Sequence, residues 1–103
     1  MGARASIQFQ EPSGQKSIVL FSHWGGDDFV DQAKDYVKQL KKDIKTGKLP
    51  PSGPLARLEA DRVIIDFVRH LTKDLERVDS DYYLVATEGE GDNSDYGHHI
   101  IRL

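Results

Sequence analysis

Ile18, Val19, Leu20 and Phe21 form an unbroken run of four large apolar residues, so a strand carrying them shows an apolar side chain to both faces. Such a strand belongs in the middle of a sheet covered on both sides. Residues 17–23 are therefore read as a central strand. Residues 3–9 (ARASIQF) precede it as a half-buried strand, with Ala3, Ala5, Ile7 and Phe9 on one side and Arg4, Ser6 and Gln8 on the other. Pro12 and Gly14 mark the turn between the two.

Trp24-Gly25-Gly26 ends the second strand, and Asp27 or Asp28 is expected to cap a helix running to about Thr46, because a carboxylate there accepts the unpaired N–H groups of the first turn. The connector Leu49-Pro50-Pro51-Ser52-Gly53-Pro54 is stiff, and Ser52 or Gly53 before Pro54 suits the start of a second helix. In that helix Ala60, Ile64, Phe67, Val68, Leu71, Leu75 and Val78 form one apolar stripe at spacings of three and four. Asp79-Ser80-Asp81 closes it, residues 82–87 (YYLVAT) read as a third strand, residues 88–95 as an acidic glycine-containing loop, and residues 96–103 as a fourth strand.

The expected fold is thus α+β, ordered ββααββ: a single domain over residues 1–103, with a mainly antiparallel four-stranded sheet and two helices packed on one face. Leu, Ile, Val and Phe number 27 of 103 residues, enough for a core. No apolar run approaches the ~18 residues of a membrane helix and no signal pattern opens the chain, so a soluble, uncleaved protein is expected. The absence of cysteine excludes disulfides and thiolate metal sites and suits the cytoplasm.

With two hairpins flanking the helices, Arg4, residues 23–28 and Arg102 are expected at the top edge of the sheet. The acidic loop is then expected at the bottom, with His98 and His99 lower down, roughly 10 Å or more from His23 at ~3.3 Å per residue. That arrangement disfavours a three-histidine metal site. His98 and His99, adjacent in a strand, point to opposite faces and cannot chelate one ion together. His70 lies off the apolar stripe of its helix and reads as a boundary residue.

The most distinctive stretch is Ser22-His23-Trp24-Gly25-Gly26-Asp27-Asp28, which sets an imidazole, an indole, flexible backbone and two acids at a strand-to-helix junction. With Arg4 to orient an anion, His23, Trp24, Gly25, Gly26, Asp27 and Asp28 form a candidate site for metal-assisted or acid–base hydrolysis. The competing reading is structural: glycines for the turn, an aspartate cap, Trp24 over the core edge and His23 bonded to backbone. A phosphate loop is disfavoured, since two aspartates at that helix end repel an anion. The structural reading takes precedence, so no residue is assigned as catalytic and no metal or cofactor is assigned.

Net charge is only −3, but residues 34–48 carry six lysines against two aspartates, whereas residues 74–95 carry eight acids against one arginine. Lys34, Lys38, Lys41, Lys45 and Lys48 form one ridge on the first helix, suggesting phosphate tracking. The ridge borders the apolar arc of Phe29, Ala33, Val37, Leu40 and Ile44, where lysines snorkel, and no arginine or aromatic is interleaved for base stacking, so nucleic acid is the disfavoured partner. Met1-Gly2-Ala3-Arg4-Ala5-Ser6 matches an N-myristoylation pattern and the opening of retroviral matrix proteins, but a strand begins at once here, and the match is read as coincidence.

A Met-Gly-x-Arg start, the stretch Leu20-Phe21-Ser22-His23-Trp24-Gly25-Gly26, Leu55-Ala56-Arg57 before an Ile-rich helix, and a C-terminal Asp92-Asn93 hairpin together resemble a group of small phage and prokaryotic proteins with no established activity. The resemblance spans most of the chain and implies a related fold, with no chemistry attached.

The leading functional expectation is a non-enzymatic interaction module that self-associates. Helices cover one sheet face, yet the second strand is apolar on both, so Val19 and Phe21, with Tyr82 or Tyr83, are expected to form an open patch that closes on a homodimer or another protein. The alternatives are the hydrolytic site around His23 and nucleic-acid binding along the lysine ridge.

Overall fold

The computed structural model describes residues 3–49, 53, 55–74 and 81–103. The elements are β1 (Ala5–Gln10), β2 (Val19–Ser22), α1 (Gly26–Lys45), α2 (Ala60–Thr72), β3 (Tyr82–Val85) and β4 (His98–Arg102), with a 3-10 turn at Glu88–Glu90 between the last two strands. The class is α+β in the order ββααββ, and the strands lie in the order β3-β2-β1-β4. β2 is thus internal, and Val19, Leu20, Phe21 and Ser22 are all buried, whereas Ile18 just before it is exposed. No described helix is long and apolar enough to cross a membrane.

Both helices pack on one face of the sheet. Their buried stripes, Phe29, Val30, Ala33, Val37 and Leu40 on α1 and Ala60, Val63, Ile64 and Phe67 on α2, close over Ala5, Ile7, Phe9, Leu20 and Ile101. Each of these side chains removes roughly 1.5–3 kcal/mol of apolar surface from water, the alanines less. Phe9, Phe67, Phe29 and Tyr36 form the aromatic centre, with Phe9 and Phe67 edge to face at 5.5 Å.

The helix termini differ from expectation. Gly25, not an aspartate, occupies the cap position of α1, and its N–H donates to Ser22 Oγ at 2.9 Å while Gly26 N–H donates to Ala3 O at 2.8 Å. Asp27 and Asp28 instead lie inside the first turn, where they face the positive end of the helix dipole without capping it. α2 starts at Ala60 because Leu58 turns the chain through the left-handed region (φ 56°), and Glu11 Oε2 accepts the Ala60 N–H at 2.8 Å. The connector residues Pro50, Pro51, Ser52 and Pro54, the stripe residues Leu75 and Val78, the closing residues Asp79 and Ser80, and Met1 and Gly2 lie outside the described residues.

The second departure changes the geometry of the molecule. β1–β2 and β2–β3 pair antiparallel, but β4 does not form a hairpin with β3. It crosses to the opposite edge and pairs parallel to β1, Ser6 opposite His98 and Gln10 opposite Arg102. His98 is therefore at the top of the sheet, near Ala5 and Ser22, and Arg102 is at the bottom, the reverse of the two-hairpin expectation. The acidic segment 86–97 must climb from the bottom of β3 to the top of β4, and it does so across the face opposite the helices.

Candidate functional site

The His23 corner is built from backbone. His23 N–H donates to Asp81 O at 2.9 Å, its carbonyl accepts Ala3 N–H at 3.1 Å, and Trp24 N–H donates to Asp81 Oδ1 at 2.9 Å. Gly25 is required by space: a Cβ there would stand 2.5 Å from Phe29 Cβ and 2.7 Å from Ser22 Oγ. Gly26 adopts φ 52°, the left-handed conformation that glycine accepts at no steric cost. Trp24 is 61% exposed and meets the His23 ring edge-on at 4.6 Å.

Arg4 does not join Asp27 or Asp28. Its guanidinium pairs with Asp92 at 3.2 Å and Asp95 at 3.5 Å, and its N–H donates to Asp95 Oδ2 at 3.0 Å. Hydrogen bonds from Ser94 hold the Asp92 carboxyl below the usual carboxylate range, with a smaller contribution from the Arg4 guanidinium. The acids that reach Arg4 thus come from the segment expected at the far end of the sheet. Among the described residues no three His, Asp or Glu side chains converge as metal ligands would.

The second polar assembly lies beneath segment 86–97, on the face opposite the helices. Asn93 Nδ2 donates to Ser6 Oγ at 3.0 Å, and Ser6 Oγ shares a hydrogen bond with His98 Nδ1 at 2.7 Å. His98 Nε2–H then donates to Gln8 Oε1 at 3.0 Å, and Gln8 Nε2 donates to Ser17 O at 2.8 Å, which orients the amide. Gln8 Oε1 makes Nε2 a donor, and in the neutral ring Nδ1 then accepts from the Ser6 hydroxyl. Burial pushes His98 below the ordinary histidine value, opposed by the Glu88 carboxylate 3.8 Å away. His99 faces the other way, its Nε2 bonded to Tyr96 O at 2.8 Å.

Serine beside imidazole at this distance is the arrangement of an activated nucleophile. Ser6, however, is completely buried, and its oxygen already holds Asn93. A substrate carbonyl has no approach to it, and the network serves to fasten the crossing segment to the sheet. The sequence pattern marks Ser6 and Gln8 only as the polar phase of β1 and Asn93 only as part of an expected Asp92-Asn93 hairpin, with no signal that joins the three.

The same segment closes the patch expected at the open sheet face. Val19 and Phe21 are 0% exposed, so they form no surface patch. The Tyr83 ring stacks on Phe21 at 5.0 Å and 7°, and Gly91 lies so close that a Cβ would stand 2.7 Å from the Phe21 ring. Asp92 N–H donates to Tyr83 Oη at 3.0 Å. Tyr82 turns to the helix side against Phe29, leaving Tyr83 as the exposed member of the four.

Three of the clefts among the described residues lie beside the helices and the sheet edges. Between the helices, about 620 Å³ is lined by Asp35, Tyr36, Asp66, Arg69 and His70 among others. There Tyr36 Oη donates to Asp66 at 2.6 Å and Arg69 pairs with the same carboxylate at 3.1 Å, while burial, then the Asp66 hydrogen bond, pushes the Tyr36 phenol well above its ordinary value. His70 lies exposed beside the Tyr36 ring at 5.7 Å. A smaller apolar cleft of about 270 Å³ follows β3, lined by Ile18, Ile64, Ile65, Val68, Leu84 and Asp61. A third, between α1 and β4, is basic. Comparison of the chain with protein-family models, with curated proteins and with solved structures gives no match.

Proposed function

We propose that this protein is a non-enzymatic interaction module that self-associates, and that the contact lies along the β3 edge rather than on the sheet face. The supporting observation is the cluster of Ile18 (41% exposed), Leu84 (48%) and Ile65 (64%) around one apolar cleft, beside an edge strand with no further strand on it among the described residues. Exposed aliphatics beside the edge strand of a sheet are the combination that monomeric proteins avoid. Antiparallel alignment of β3 with its copy extends the sheet and packs the two aliphatic clusters together about a two-fold axis. The resemblance carried by His23-Trp24-Gly25-Gly26 is compatible with this reading and adds no chemistry to it.

Sedimentation at high micromolar concentration tests it. A dimer is expected for the native chain and a monomer for Leu84→Lys and Ile65→Lys, each folded by circular dichroism. A native chain that sediments as a monomer throughout overturns the reading, as does a dimer indifferent to both substitutions.

A further inference from the structure

β4 forms the other edge of the sheet, and its surroundings differ in kind from those of β3. Gly97 O accepts the Ser6 N–H at 3.0 Å and the Leu103 N–H donates to Gln10 O at 2.9 Å, so the odd-numbered residues turn their backbone groups toward β1. By the alternation of a strand, Ile100 and Arg102 present N–H and C=O outward, where the strand order places no neighbour among the described residues. Alongside runs a groove of about 340 Å³ lined by Lys34, Val37, Lys38, Lys41, Ile100, Ile101 and Arg102.

The charge of this groove is uncompensated. Neither Lys34, Lys38 and Lys41 nor Arg102 makes an ion pair among the described residues, and all four are exposed. Four cations facing one strand edge, in a chain of net charge −3, guard β4 against pairing with another β4, because like charges would meet. They favour an anionic occupant instead. Along α1, the rise from Lys34 to Lys38 is about 6 Å, comparable to the ~6.8 Å between alternate side chains of a strand, and from Lys38 to Lys41 about 4.5 Å, a shortfall that long lysine stems span.

We propose that the β4 edge binds an extended acidic peptide as a fifth strand, its main chain bonding Ile100 and Arg102 and its alternate acidic side chains meeting Lys34, Lys38 and Lys41. The intervening side chains of the peptide lie beside the exposed Ile100, which favours aliphatics there. The groove contains no aromatic side chain on which a base could stack, so a peptide suits it better than a nucleic acid strand. β3 is the opposite edge, and this binding does not depend on self-association.

The test is titration of the full-length chain with a fluorescent short peptide alternating glutamate and valine. Parallel titrations use the same peptide N-methylated at alternate residues and a single-stranded oligothymidylate of matched charge. Saturable, salt-sensitive binding is expected, with NMR amide shifts centred on residues 98–102. The N-methylated peptide and the Lys38→Glu/Lys41→Glu chain are each expected to bind at least about tenfold more weakly, while Lys73→Glu, on α2's far end, binds as the native chain does. No binding at low salt overturns the proposal. So does tighter binding of the oligothymidylate, equal binding of the N-methylated peptide, or equal loss from Lys38→Glu/Lys41→Glu and Lys73→Glu.

Discussion

Ser6 and His98 are separated by 92 positions in the chain and share a hydrogen bond of 2.7 Å, formed because β4 passes its neighbour in sequence and pairs with β1. That bond sits at the centre of the polar chain from Asn93 to Ser17, and burial favours the neutral imidazole within it.

A pH dependence follows from the sign of the shift. Burial lowers the folded-state value of His98 below the ~6.5 of an unfolded histidine, so below ~6.5 the unfolded chain takes up a proton that the folded chain resists. The stabilisation is full above that value and is lost as pH falls from it toward the folded-state value. Urea denaturation at pH 7.5, 6 and 5 is expected to show falling stability, and the fall should be shallower in His98→Gln. Equal slopes in the two proteins would show that His98 does not couple folding to the proton.

Gly91 touches Phe21 where no Cβ fits, at 2.7 Å from two ring carbons. Its φ of −127° is open to any residue, so substitution acts through space alone. Gly91→Ala is expected to cost about 1–3 kcal/mol and to loosen segment 86–97, seen as a fluorescence change of the stacked Tyr83 and as increased dye binding by the uncovered Phe21. A change under about 0.5 kcal/mol, within the ordinary scatter of surface substitutions, contradicts the contact.

Gly25→Ala tests the strand-to-helix junction. The added methyl meets Phe29 Cβ at 2.5 Å and Ser22 Oγ at 2.7 Å, both held by buried elements that cannot swing aside. Thermal denaturation should show a loss of about 1–3 kcal/mol. A comparable loss in Asp27→Asn or Asp28→Asn is not expected, because those carboxylates are exposed and outside the cap position.

Much of the fold was legible from local pattern. The alternation of β1, the doubly apolar β2 and the stripes of α1 and α2 each report which side of an element is buried, and each element forms near where its pattern lies. The candidate site was less legible. Gly25 and Gly26 mark the turn, but Arg4 finds its acids in Asp92 and Asp95, and His98 finds Ser6, across separations that carry no periodic signal.

The residues in order dictated which elements exist, which faces are apolar and that β2 needs cover on both sides. Only the tertiary structure decided what supplies the second cover. A short strand such as β4 can pair with either edge of a sheet at similar local cost, and the choice is made by side chains brought together from opposite ends of the chain. Here pairing with β1 draws the acidic segment over Phe21, satisfies Ser6, Gln8 and His98 at once, and leaves β3 and β4 as the two edges of the sheet.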